Sequence, residues 1–263
     1  MKSNESAENY LETILILSKK KPVVRSVDIA DELGFKKSSV SVAMKNLREK
    51  NHITVTPEGY IYLTESGQKI AETALLAALC YVSFTFLQIK IPMPGGDATS
   101  LHIGNAFCVL GALLLGGWYG GLAGAIGMTI ADVLDPIYIV GAPKTFVLKL
   151  CIGLIVGLVA HRIGKINEST DKKYVFRWSV LASVAGLGFN VIADPLVGYF
   201  YKQYILGQPQ QMAEVLAKWS TATTFVNAVV STILVAVLYN ALRPVLLKSG
   251  MLQIVRKTEE VKI

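Results

Sequence analysis

Long apolar runs begin near residue 71 and continue almost to the end of the chain. No lysine or arginine occurs between Lys90 and Lys144, where only Asp97, Asp132 and Asp135 carry a formal charge. Charged residues make up 17% of the chain, against roughly a quarter in ordinary soluble proteins. A bilayer requires about 20 consecutive apolar residues for each spanning helix. This part of the chain is therefore expected to form a membrane-embedded helical bundle.

Hydropathy divides the apolar part into six candidate spans. They lie at about residues 71–90, 103–116, 119–135, 144–161, 176–201 and 220–242. Basic residues follow the fourth span and return in the carboxyl-terminal tail, which places both regions on the cytoplasmic side of a cell membrane. Six spans then leave both termini in the cytoplasm. The predicted divisions are a head domain at 1–70, a membrane domain at 71–245 and a tail at 246–263.

The head domain has the pattern of a small α+β winged helix-turn-helix. One short helix is opened by Ser26 and stopped by Gly34, and a second is capped by Ser38. Two alternating β-runs then flank the turn Pro57-Glu58-Gly59, as in a wing. The second helix turns polar and basic residues outward, and we predict that these contact DNA: Lys37, Ser39, Ser41, Lys45 and Arg48. A solvated face or a protein-docking surface is the alternative. The predicted fold class is thus mainly α, a six-helix transmembrane bundle preceded by this small domain.

Four segments of the head domain resemble the diphtheria-toxin-repressor family of metal-dependent regulators. They are Glu8-Asn9-Tyr10-Leu11-Glu12, Val27-Asp28-Ile29-Ala30, Lys37-Ser38-Ser39-Val40-Ser41 and Leu63-Thr64-Glu65-Ser66-Gly67. In that family, carboxylates at the positions of Asn9 and Glu12 contribute to a metal site. Asparagine is a poorer ligand, and no downstream cluster of histidine and glutamate follows. No metal site and no cofactor are therefore predicted.

Several polar side chains fall at membrane depth in the apolar part. Such groups cost about 3 kcal/mol each on insertion scales, so they tend to mark functional cavities. We predict that six of them, clustered toward the outer face, bind a substrate: Asp97, His102, Asn105, Asp135, Lys144 and Asn190. Interfacial capping, with an internal ion pair between Asp135 and Lys144, is the structural alternative.

The membrane part resembles the substrate-binding (S) components of energy-coupling factor (ECF) vitamin transporters, most closely the riboflavin-transporter-like branch. The segments that carry this resemblance are His102-Ile103-Gly104-Asn105, Gly116-Gly117-Trp118-Tyr119-Gly120-Gly121, Ile130-Ala131-Asp132-Val133-Leu134-Asp135-Pro136 and Pro143-Lys144-Thr145-Phe146-Val147-Leu148-Lys149. The resemblance implies six helices that bind a vitamin from outside, beneath a lid. Residues 91–100, rich in proline and glycine, would form that lid as a loop.

The same resemblance implies partners. The small residues Ala74 and Ala78 match the family's docking motif for the transmembrane coupling (T) subunit. Two ATPase subunits would complete the transporter, since the chain has no GxxxxGK[ST] motif of its own. A lipid bilayer and a small-molecule vitamin are further expected partners, and DNA is a candidate partner of the head domain.

Three functions compete at this point. The chain is either a transporter S component with an appended regulatory domain or a membrane-tethered transcriptional regulator that uses the S-component fold as a receptor. An intramembrane aspartyl enzyme using Asp132 and Asp135 is disfavoured, because such chemistry normally draws its two carboxylates from separate elements, and the chain is expected not to be an enzyme. A flavin-like substrate is favoured by resemblance only, and folate-like, pyrimidine or other vitamin ligands stay open.

Overall fold

The computed structural model describes residues 6–248, apart from the side chain of Pro94. The chain is mainly helical and divides into two compact units between Leu75 and Leu76, within one helix. Most of the predicted tail, residues 249–263, lies outside the described residues. Each unit is described separately.

The amino-terminal unit contains three helices and a two-stranded antiparallel sheet. The helices are α1 (Ala7–Lys20), α2 (Ser26–Leu33) and α3 (Lys37–Glu49), and the strands are β1 (Ile53–Val55) and β2 (Ile61–Leu63). Helix α4 (Glu65–Phe86) begins in this unit. The apolar stripe of each helix faces a common core that includes Tyr10, Leu11, Ile29, Val40 and Ile53, all nearly inaccessible to solvent.

Both predicted helix caps in this unit are shifted by one or two residues. Arg25 and Lys36 occupy the capping positions of α2 and α3, so Ser26 is the first helical residue of α2 and Ser38 lies inside α3. The Asp28 carboxylate instead accepts a hydrogen bond from the Arg25 backbone nitrogen at 2.8 Å, and so provides an acceptor for one of the backbone amides that have no partner within the helix at the start of α2. Gly34 ends α2 in the left-handed conformation, with φ of 66°, as predicted.

The second unit is built from the remainder of α4, a β-hairpin and five further helices. The hairpin strands are β3 (Gln88–Pro92) and β4 (Ala98–His102), joined by a short 3-10 turn at Pro94–Gly96. The helices are α5 (Gly104–Leu115), α6 (Gly117–Leu134), α7 (Ala142–Gly157), α8 (Lys172–Phe200) and α9 (Gln210–Lys248). Helices α7 and α8 each continue into a π-helical segment, at Leu158–Ile163 and Tyr201–Ile205.

Within residues 6–248, four helical segments are long and apolar enough to cross a membrane. These segments are Glu65–Phe86, Ile139–Ile163, Lys172–Ile205 and Gln210–Lys248. Helix α5 has 12 residues and falls short of a full span, as its predicted length indicated. Helix α6 has 18 residues and is rich in glycine, which lowers its hydropathy but permits close packing.

The predicted lid loop is a β-hairpin in the structure. Residues 88–91 alternate in the order Gln, Ile, Lys, Ile, which is the period-two pattern of a strand, and they pair with β4 in the register Ile89 to Leu101 and Ile91 to Thr99. The loop prediction was wrong because proline and glycine are confined to the turn and its borders. Pro92 is tolerated as the last residue of β3, where the strand ends.

Candidate functional site

A cavity of about 310 Å³ lies inside the second unit, lined by the hairpin and by helices α5 to α9. Five of the six predicted substrate-binding residues line it: Asp97, His102, Asn105, Lys144 and Asn190. They come from the hairpin turn, β4, α5, α7 and α8, so the fold brings together residues that lie up to 93 positions apart (190 − 97). The cavity volume lies at the lower end of the range of about 300–1,000 Å³ that is usual for small-molecule sites.

The sixth predicted residue, Asp135, lies outside this cavity. Its carboxylate pairs with Lys90 of the hairpin and also accepts a hydrogen bond from the Ile137 backbone nitrogen at 3.0 Å. The expected ion pair between Asp135 and Lys144 is therefore wrong. Asp135 follows the last residue of α6, where it can reach β3, while Lys144 near the start of α7 turns toward α8.

Lys144 pairs with Asp194, which holds three helices together. The Lys144 ammonium lies 2.9 Å from one carboxylate oxygen of Asp194, and the Ser220 hydroxyl donates to the other oxygen at 2.6 Å. Lys144 is on α7, Asp194 on α8 and Ser220 on α9. The charge of Asp194 is thus already neutralised and hydrogen-bonded before any ligand enters, which is how buried charges are normally tolerated.

Side chains from α9 and from the π-helical segment after α8 hold the hairpin over the cavity. The Asn227 amide accepts from the His102 backbone nitrogen at 3.0 Å and donates to the Ser100 carbonyl at 2.9 Å. Lys202 pairs with Asp97 at the hairpin turn. Strand β4, one wall of the cavity, is therefore fixed to α9 by two hydrogen bonds from a single buried side chain.

Several polar groups that line the cavity have no partner. The carboxamide oxygens of Asn105 and Asn190 and the Nδ1 atom of His102 are buried without a hydrogen-bond partner in the part of the chain that the structure describes. Asn105 and Asn190 are only 2% and 1% exposed. Because buried polar groups are almost always hydrogen-bonded in native structures, these side chains are suited to receive a ligand.

Part of the cavity lining was not predicted from the sequence. Lys202 lies in the π-helical segment after α8, beyond the predicted span, and was not distinguished from an interfacial lysine. Ser220 and Thr224 are small hydroxyl residues within an apolar helix, so each alone is a weak indication of a site. Their spacing of four residues nevertheless places them on one face. That spacing, together with Asn227 on the same helix, is the sequence signal that indicates a polar stripe.

The predicted DNA-binding residues all lie on α3 in the amino-terminal unit. Lys37, Ser41, Lys45 and Arg48 are exposed and Ser39 is half-buried. Lys45 lies 3.9 Å from Glu49 across an exposed surface, a contact of little energetic weight. The face opposite this basic surface supplies Val40, Met44 and Leu47 to the core.

The predicted docking residues occupy α4. Ala78 is exposed and Ala74 is half-buried, so both present small side chains at the surface of the helix. Ala77 faces inward instead, where its carbonyl oxygen lies so close to Gly127 of α6 that a side chain at position 127 would clash with it. The predicted docking residues and the inward-facing Ala77 thus lie on different sides of α4.

Glu12 occupies a position at which the resemblance to the repressor family implies a carboxylate of a metal site. Partial burial raises the pKa of the Glu12 carboxyl group, and the nearby negative charge of Glu8 raises it further by a smaller amount. Within residues 6–248, no three histidine, cysteine, aspartate or glutamate side chains come together in a metal-binding arrangement.

Two family comparisons match the two parts of the chain. Residues 65–244 match the ECF-type riboflavin transporter S component family, and residues 2–61 match the iron dependent repressor N-terminal DNA binding domain. A UPF0397 protein from Exiguobacterium sp. is 30% identical over 133 residues, which cover 49% of this chain and 68% of that protein. No solved structure gives a significant match.

The helices long and apolar enough to cross a membrane, the cavity with charged and amide side chains in its lining and the larger family match define the chain as a transporter S component with a DNA-binding domain at its amino terminus. More specifically, the chain belongs to the family of ECF-type riboflavin transporter S components. Membership in this family implies a substrate, and a coupling and ATPase module as partners.

Proposed function

We propose that the second unit captures a vitamin or related small nutrient for an ECF-type ABC importer, with a flavin-like molecule favoured by the family. The observation that supports this most strongly is the cavity, in which the buried carboxamide oxygens of Asn105 and Asn190 have no hydrogen-bond partner among residues 6–248. In this proposal α4 to α9 form six spans, the shorter α5 being buried among its neighbours, and both termini lie in the cytoplasm. The role is binding and transport, without a catalytic step in this chain.

The proposed importer contains a T subunit that docks on α4 beside Ala74 and Ala78, together with two ATPase subunits. The exposure of Ala78 supports this surface, because a small side chain lets a foreign helix approach closely. Changing both alanines to tryptophan should prevent docking and abolish uptake while leaving ligand binding by the isolated protein intact.

This docking experiment has a matched control in Ala241→Trp, an exposed alanine on α9. Co-purification with the T subunit and uptake into proteoliposomes are measured for both variants. Loss of both activities in the α4 variant alone would support docking there. Normal uptake by the α4 variant would contradict it.

The amino-terminal unit is proposed to be a cytoplasmic winged-helix domain that binds DNA or otherwise regulates the importer. The match to a repressor DNA-binding domain and the exposed basic surface of α3 support this role. The same observations favour a second candidate function, in which the chain is a membrane-tethered transcriptional regulator and the cavity serves as its ligand receptor.

DNA binding is tested by selecting genomic fragments with the full-length protein in nanodiscs. Changing Lys45 or Arg48 to alanine should weaken binding and reduce the slope of log affinity against log salt by about 0.9 for each phosphate that is no longer neutralised. Lys20→Ala, on α1, is the control. If the protein selects DNA fragments only when a small-molecule extract is present, the result would favour the receptor function. If neither the parent nor any variant enriches particular fragments, the result would contradict a DNA-binding role.

A further inference from the structure

The charges that line the cavity do not all pair with one another. Lys144, Lys149 and Lys202 contribute three cations, and Asp97, Asp132 and Asp194 contribute three carboxylates. Two ion pairs, Lys144 with Asp194 and Lys202 with Asp97, account for four of these six groups. Lys149 and Asp132 remain.

Lys149 is a cation at the cavity wall that has no direct counter-ion in the part of the chain that the structure describes. It lies on α7 and is only 7% exposed. Within residues 6–248, no carboxylate oxygen lies within 4.0 Å of its ammonium group, and its side chain makes no hydrogen bond. Asp194 and Asp132 act on it only from a longer distance. An ammonium group removed from water without a counter-ion is costly, and an anion that enters the cavity would offset this cost.

Asp132 is the corresponding carboxylate. It lies on α6, is 3% exposed, and forms no ion pair in the described part of the chain. A carboxylate has several acceptor sites and no donor, so Asp132 can accept hydrogen bonds from N–H or O–H groups of an incoming molecule. The carboxamides of Asn105 and Asn190, whose oxygens have no partner, line the same cavity and add both donors and acceptors.

We propose that the cavity takes a small molecule that carries both an anionic group, which binds Lys149, and N–H groups, which bind Asp132. This inference rests on the proposed capture function and narrows its substrate class to molecules with an anionic group, which among flavin-like molecules means those that carry a phosphate or a carboxylate. A neutral molecule would leave Lys149 without a counter-ion, and an anion lacking donors could not hydrogen-bond to the Asp132 carboxylate. Carboxylate and phosphate share the chemistry that Lys149 recognises.

The test uses the full-length protein in lipid nanodiscs and a deproteinised extract of bacterial cells as the probe. After washing, bound compounds are released and identified by mass spectrometry, which assigns their charge at neutral pH and separates carboxylates from phosphates by formula. Three proteins are compared: the parent, Lys149→Met, and Lys173→Met, which removes an exposed lysine outside the cavity.

The expected result is that the parent and Lys173→Met retain the same compound, that this compound carries an anionic group and an N–H donor, and that Lys149→Met binds it at least about 30-fold more weakly. A neutral or purely cationic compound bound by the parent would overturn the inference while leaving the capture function in place. Retention of an anionic compound by Lys149→Met with unchanged affinity would do the same.

The experiment distinguishes failure of this inference from misfolding of the Lys149→Met variant and from failure of the proposed function. The charge of the compound bound by the parent decides the inference even if Lys149→Met does not fold. If neither the parent nor Lys173→Met retains any compound, the capture function itself fails, and the substrate inference fails with it.

Discussion

Helices α6 and α7 cross so closely that a single added methyl group at Gly153 should force them apart. A Cβ atom at position 153 would lie 2.2 Å from the Cα atom and 2.3 Å from the nitrogen of Gly121, and 2.9 Å from the Gly117 carbonyl oxygen. Favourable contacts between carbon atoms occur at about 3.5–4.0 Å. All three obstructing atoms belong to the backbone, so no side-chain rotation relieves the clash.

The expected cost follows from these distances. Overpacking a well-packed interior costs about 1–3 kcal/mol, and the upper end applies here because two helix backbones must move. Alanine offsets up to about 1 kcal/mol of this through its better helix propensity. The net destabilisation of Gly153→Ala is therefore about 2 kcal/mol, which corresponds to a decrease in melting temperature of roughly 4–8 °C for a unit of this size.

Thermal unfolding in lipid nanodiscs measures this effect, with Gly188→Ala as the matched control. Gly188 also lies within a helix, α8, but a Cβ atom there would meet no other atom within 4 Å. The control should be as stable as the parent or slightly more stable. A Gly153→Ala variant that unfolds at the same temperature as Gly188→Ala would refute the close crossing of α6 and α7.

Three further predictions concern single side chains. Asn227→Leu should leave the backbone groups it bonds on β4 unsatisfied, at about 1–3 kcal/mol each, and limited proteolysis should then cleave the hairpin faster. Arg243→Lys should similarly expose the loop between α7 and α8 to protease, because Arg243 donates to two loop carbonyls at 3.0 and 2.9 Å and lysine cannot reproduce that planar geometry. In the amino-terminal unit, the hydrogen bond from Lys21 lowers the pKa of Asp28. The stabilising effect of this hydrogen bond is therefore present above the usual carboxyl pKa of about 4 and is lost as the pH falls through the lowered pKa. Asp28→Asn should therefore lower the melting temperature of that unit at about pH 6, and the difference from the parent should vanish in acid below the lowered pKa.

Helix positions were predictable wherever a single physical signal dominated. Apolar runs located helices α4 to α9 among the described residues, and four of the five residues predicted to face outward from α3, namely Lys37, Ser41, Lys45 and Arg48, are exposed. Capping was less predictable, because several adjacent residues can bond the free amides at a helix start. Ser38 is a favourable capping residue by type, yet α3 begins one residue before it, at Lys37.

The position of polar residues in the cavity was predictable, but their pairing was not. A polar side chain at membrane depth must find a partner or a cavity because the hydrocarbon offers neither, and Asn105, Lys144 and Asn190 do line the cavity. Pairing depends instead on the rotation of each helix about its axis and on which helices meet. Lys144 is nine residues from Asp135 in the sequence, but its partner is Asp194, 50 residues away, because α7 and α8 turn these side chains toward each other. The same geometry leaves Lys149, one turn beyond Thr145 on α7, without a direct counter-ion, so the feature most informative about the ligand arises only from the three-dimensional arrangement of helices.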